Sequence, residues 1–338
     1  MGCRGSAWRG SGRICTRIVT ASTVLVASGC SVLFGLDDHT ANPGGEGGVD
    51  SSTTLPDGGK PLDDSGGGSH DAGVDAPVPS CARGLTSILR INPTAGEDYY
   101  SARGKKNSVL EAYVTVERGP LHIYEGNRTN TAQSFVINSA NIGSFQGTGW
   151  QQHGIATADD TKMLYVQTPT DGGASQIWGA LRVDSGFQNF YTYSETNGSP
   201  SINNTEVYAN ATASLLYFAS SRTGQFRLYQ ATSTGTATYS AAAPIPGFDA
   251  FPGELRAPVV SEDGKTIFFA RRDGDGLRLY SAVRDRADAA FTDPRPVCNV
   301  AASGEQQYPT WLASDHSLLF FVKIVNDKYD LWQAKPAL

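Results

Sequence analysis

One short pattern returns five times along this chain at a nearly constant step, and that period limits the fold more than any other feature. The runs Met163-Leu164-Tyr165-Val166, Leu215-Leu216-Tyr217-Phe218, Thr266-Ile267-Phe268-Phe269 and Leu318-Leu319-Phe320-Phe321 are near copies, and Glu111-Ala112-Tyr113-Val114 is a weaker relative. Their third positions are 113, 165, 217, 268 and 320, so the steps are 52, 52, 51 and 52 residues. Such a period describes one supersecondary unit that cannot bury its own faces and must stack on copies of itself.

Each run is followed by an aromatic residue expected to end the next strand: Tyr124, Trp178, Tyr229, Tyr280 and Trp332. Four runs are preceded by turn residues, as in Asp159-Asp160-Thr161-Lys162 and Glu262-Asp263-Gly264-Lys265. Asp, Asn and Gly suit such turns because they accept left-handed backbone or bond to it locally. Beyond Cys81 the chain alternates short apolar runs with Gly, Asp, Asn and Pro and shows no long amphipathic helix, which reads as all-β.

A propeller of four-stranded blades fits this repeat, because each blade is buried only by its neighbours and the ring must close. In the fourth repeat, strands are expected near Ala257 to Ser261, Thr266 to Arg271, Leu277 to Val283 and Pro296 to Val300. The last repeat stops after its third strand, and the run from Leu85 to Ile91 can supply the fourth from the other end. Five blades closed by an N-terminal strand are therefore expected; six would need a further repeat.

The segment from Ala257-Pro258-Val259-Val260-Ser261-Glu262-Asp263-Gly264-Lys265 through Arg271-Arg272 to Leu277-Arg278-Leu279-Tyr280 resembles the repeat of TolB-type (WD40-like) β-propellers. Tyr308-Pro309-Thr310-Trp311 through Trp332 is a second good copy. The other repeats are degraded: no Pro precedes the turn at Tyr165 or Tyr217, and Arg103-Gly104-Lys105-Lys106 stands where the first turn belongs. The resemblance covers about residues 95 to 338 and implies a fold and a scaffold for binding a protein or ligand, with no partner specified.

The N-terminus adds a destination. Arg4, Arg9, Arg13 and Arg17 precede the apolar stretch from Ile18 to Ala27, too short for a membrane-spanning helix, which makes residues 1–29 an export signal. Ala27-Ser28-Gly29-Cys30 resembles the lipobox of bacterial lipoproteins, although Ala27 stands where Leu is usual. That likeness implies acylation of Cys30, palmitate included, and a membrane anchor. Ser31 in place of Asp implies sorting to the outer membrane of a Gram-negative cell, with the domain facing the periplasm or the surface.

Residues 30–80 form a Gly/Asp/Ser-rich spacer with too little apolar surface to fold. A coil of about 44 residues spans roughly 35 to 40 Å, so its role is reach. The propeller domain is expected over 81–338. Loss of the four signal arginines takes the net charge from −6 to −10, and no basic run survives to track a phosphate backbone, so nucleic acid is excluded as a partner.

Two cysteines remain for an exported domain. Cys81 falls just before the outer strand of the fifth blade and Cys298 on the outer strand of the fourth, which makes them neighbours and a candidate disulfide.

The sequence shows no catalytic motif, and neither a cofactor nor a metal is expected. Asp273-Gly274-Asp275-Gly276 resembles half of a calcium loop but falls where a hairpin turn belongs. Binding is expected at the ring mouth, through residues entering the inner strands: Glu97, Gln152, His153, Glu206, Arg256, Gln307 and Tyr308. The partner expected there is an envelope protein, a peptide or a glycan, on a monomeric domain. The competing reading is a five-bladed glycoside hydrolase, whose carboxylates would come from Glu97, Asp98, Glu206 and Glu254.

Overall fold

The computed structural model describes residues 83–337 apart from 93, 143–148, 185, 275 and 301–304. The export signal, Cys30, the spacer and Cys81 lie outside the described residues.

Among the described residues there are twenty-one strands. In chain order, β1 (Leu85–Arg90) is followed by β2 (Tyr99–Gly104), β3 (Glu111–Glu117), β4 (Leu121–Asn127) and β5 (Val136–Asn141). Next come β6 (Trp150–Ala156), β7 (Lys162–Thr168), β8 (Gln176–Val183) and β9 (Gly186–Thr192). The third group is β10 (Asn204–Ala209), β11 (Leu215–Ser220), β12 (Arg227–Gly235) and the short β13 (Thr238–Tyr239) and β14 (Ala243–Pro244). The last two groups are β15 (Leu255–Val260), β16 (Thr266–Asp273), β17 (Gly276–Val283) and β18 (Thr292–Pro296), then β19 (Gln306–Leu312), β20 (Leu319–Val325) and β21 (Lys328–Pro336).

Each group forms one antiparallel sheet in sequence order, except that β14 pairs with β12 beside β13 and β1 pairs with β21 to complete the last sheet. The first strands β2, β6, β10, β15 and β19 adjoin one another in that order, and β19 returns to β2. The result is a five-bladed β-propeller with β1 as the closing strand.

The repeated runs are the second strands, and their apolar residues are buried from both sides by adjacent blades, as at Leu164, Phe218, Phe269 and Phe320. The recurring aromatics sit on the third strands directly across from these runs: Trp178 opposite Tyr165, Tyr229 opposite Phe218, Tyr280 opposite Phe269 and Trp332 opposite Phe321. Cross-strand aromatic pairs of this kind contribute beyond simple burial. They do not end their strands, as the repeat suggested; every third strand runs on past its aromatic.

All five inner strands carry a register shift, lying between Tyr99 and Ser101, Gln152 and Ile155, Thr205 and Tyr208, Arg256 and Val259, and Pro309 and Trp311. Three of these bulges hold a non-glycine residue at positive φ: His153 at 54°, Glu206 at 48° and Ala257 at 49°. A bulge re-aims side chains where a regular strand would alternate them, and such backbone is tolerated only where the surroundings over-determine it.

The outer strand of the fourth blade differs from expectation, running over Thr292–Pro296 and leaving Cys298 beyond it. The cause is competition for backbone groups. Cys298 donates its N–H to the Arg83 carbonyl at 3.2 Å, and its carbonyl accepts from Leu85 N–H at 3.3 Å, so neither can serve β17. Residues 83–85 thus lie on the fourth blade before β1 joins the fifth.

Candidate functional site

The five inner strands each turn a polar or aromatic side chain toward the centre of the ring: Arg103 from β2, His153 from β6, Glu206 from β10, Arg256 from β15 and Tyr308 from β19. All five are buried, at 1–4% exposure. Two contacts reach across the axis instead of along the rim. Arg103 Nη1 donates to the Val207 carbonyl on β10, two blades away, and the His153 ring meets the Tyr308 ring edge-on at 6.3 Å between non-adjacent strands. Side chains from non-adjacent blades therefore meet across the axis of the ring.

Its electrostatics follow from burial. Arg256 Nη2 lies 2.7 Å from Glu206 Oε1, its Nη1 lies 3.4 Å from Glu254 Oε1, and its guanidinium stacks over Phe226 at 4.1 Å. Burial pulls Arg103 down to about 9, against the opposing influence of Tyr208, Glu206 and Tyr308. His153 is held well below its usual range by burial first and then by the charges of Arg103 and Arg256. Burial likewise drives the Tyr308 hydroxyl well upward, and that hydroxyl donates to the Tyr100 carbonyl at 2.9 Å.

Six of the seven mouth residues read from sequence fall on inner strands, and all six are buried. Gln152 and Gln307 are buried next to His153 and Tyr308 in the chain, and Gln307 Nε2 donates to the Val300 carbonyl, on the connection from the fourth blade, at 2.6 Å. Glu97 stands apart, before β2, and accepts from Arg118 Nε at 2.8 Å and Tyr99 Oη at 2.6 Å. Burial raises its carboxyl, but those hydrogen bonds outweigh burial and hold it below the usual range.

Arg103 was assigned from sequence to a turn, and the structure corrects this. Lys106 and Asn107 take up the positive φ angles of 52° and 58°, so the turn forms at Lys105–Asn107 and Arg103 remains in β2. Asp273 pairs with Gly276 across the tip of the β16–β17 hairpin, and its carboxylate accepts from Tyr280 Oη at 2.5 Å.

The far end of the channel is lined by Gly104, Ala156, Tyr208, Trp311 and Leu312 and leaves only about 10 Å³. A larger cleft of about 400 Å³ opens between the second and third blades beside Lys162. Lys162 Nζ is already held by the Thr236 carbonyl at 3.1 Å and Tyr239 Oη at 3.2 Å.

No family profile and no curated protein matches the chain. Among solved structures it is similar to TolB from Acinetobacter baumannii, with 13% identity and a TM-score of 0.43 over 75% of this chain and 65% of that one. It is also similar to a putative glycoside hydrolase from Bacteroides ovatus, with 10% identity and a TM-score of 0.47 over 73% of this chain and 96% of that one. A puromycin-hydrolyzing peptidase from Mycobacterium tuberculosis matches at 14% identity and a TM-score of 0.42, over 71% of this chain and 37% of the peptidase. The chain thus spans less than two thirds of that TolB and of that peptidase.

Proposed function

We propose that this chain is an outer-membrane lipoprotein, anchored through an acylated Cys30, whose propeller binds an envelope protein, peptide or glycan at the channel entrance. The observation that carries the binding reading is the convergence of Arg103, His153, Glu206, Arg256 and Tyr308, one from each inner strand, on a single buried centre. A structural core needs no charged residues there, since buried charges are costly unless paired.

Binding is favoured over glycoside hydrolysis by the state of the carboxylates. That chemistry needs two acids flanking a bond, one of them protonated. Glu206 and Glu254 both pair with Arg256, Asp98 accepts from Tyr329 N–H and Lys328, and Glu97 is held low by Arg118. Each carboxylate is committed to a cation.

The test is capture by cross-linking in whole cells, comparing the wild type with an E206R/R256E double variant beside a sugar-release assay and palmitate labelling. Loss of a defined partner in the double variant supports the reading. Release of reducing sugar by the wild type, or unchanged capture by the double variant, overturns it. Absence of label that depends on Cys30 removes the anchor.

The same reading includes a Cys81–Cys298 disulfide. Cys298 is not a free thiol. Cys81 is two residues from Arg83, whose carbonyl takes the Cys298 N–H, and two residues span at most about 7 Å. A crosslink between positions 81 and 298 constrains most of the domain, and chain entropy assigns such a bridge roughly 5 kcal/mol at most. C298S is expected to unfold at lower denaturant concentration than wild type under non-reducing conditions; peptide mapping that finds both thiols free excludes the bridge.

A further inference from the structure

Arg103 and His153 differ from their neighbours in what they lack. Arg256 has two carboxylates, whereas Arg103, just as buried, forms no ion pair among the described residues. Its protein acceptor is the Val207 carbonyl, and its Nε has no partner. His153 Nε2 is equally buried and unpartnered. A buried guanidinium Nε–H without an acceptor, beside an unpartnered imidazole nitrogen that can carry the ring proton, describes a receptor for an acceptor group, and a guanidinium matches a planar carboxylate best.

We propose that the channel seats the carboxylate of its ligand between the Arg103 guanidinium and His153 Nε2. This rests on the binding reading above and names the ligand's chemistry. Arg103 can exchange a backbone carbonyl for the carboxylate without leaving any side chain unpaired. Glu206 does not compete, because Arg256 and Thr205 Oγ1 already occupy it, at 2.7 and 2.5 Å. Two sources share this chemistry: a peptide with a free C-terminus and a sugar acid.

The experiment titrates the complete mature protein with acetate, galacturonate and a short peptide acid, each beside its neutral counterpart: acetamide, galactose and the peptide amide. The readouts are the NMR signals of the Arg103 Nε–H and His153 Nε2–H. Saturable shifts with the acids and none with the neutral forms are expected, and R103Q should weaken the tighter acid by about tenfold or more, the loss of a charge-assisted hydrogen bond. Tighter binding of the peptide acid or of galacturonate identifies the source. R103K keeps the charge without the fork and should fall between, which protects the test if R103Q folds poorly. Equal shifts with acids and amides, or none with any acid, overturn the proposal; partner capture that persists in that case leaves the broader binding reading standing.

Discussion

His153 holds its place in the channel as a neutral imidazole, and this links stability to pH. Its charge is opposed by burial and by Arg103 and Arg256, so the folded chain takes up its proton only well below the ordinary value. The unfolded chain binds that proton near pH 6.5. Below that value the unfolded state therefore holds more protons, so the stability conferred by neutral His153 is complete above about pH 6.5 and is lost progressively in acid. H153N is expected to flatten the fall in urea midpoint between about pH 7 and pH 5; an unchanged slope assigns the acid sensitivity elsewhere. His153 was legible in sequence because it stands just before the turn that leads into a second-strand repeat. Arg103 was not, because the first repeat lacks the Asp-Gly turn that marks where its strand ends.

At the scale of elements, close approach sets the limits. A Cβ added to Gly104 would lie 2.4 Å from the Trp311 ring and 2.5 Å from the Ser108 carbonyl, at the junction of β2 with β19. Trp311 is 2% exposed and cannot retreat. G104A is expected to cost about 1 to 3 kcal/mol in urea unfolding, the usual range for overpacking; a neutral result shows that the fifth blade shifts freely. Second and third strands were readable because their apolar and aromatic residues recur every 52 residues or so. Among the outer strands, β1 was read from the gap it fills, but the bounds of β18 were not, since an exposed strand carries no such pattern and only the bonds of Cys298 to residues 83–85 show where β18 gives way. The bulges were equally hidden, because a two-for-one pairing leaves no mark on composition.

For the molecule as a whole, the missing fourth strand of the last repeat revealed the closure, and β1 fills it with Leu85 opposite Pro336 and Arg90 opposite Trp332. Removal of residues 1–90 is expected to leave β21 with an open edge and to convert a single cooperative unfolding transition into a broader one at lower temperature, as followed by calorimetry. Retention of one sharp transition at the wild-type temperature shows that β1 is dispensable.

The same pairing also sets an order in time. β1 is the earliest strand to be synthesised and β21 the latest, so the closing sheet joins the two extremes of the domain and carries the largest loop-closure cost. β1 must stay unpaired until β21 has been made. The ring can close only once β21 is available to β1, and the interval before it is when its strand edges lie open to other chains.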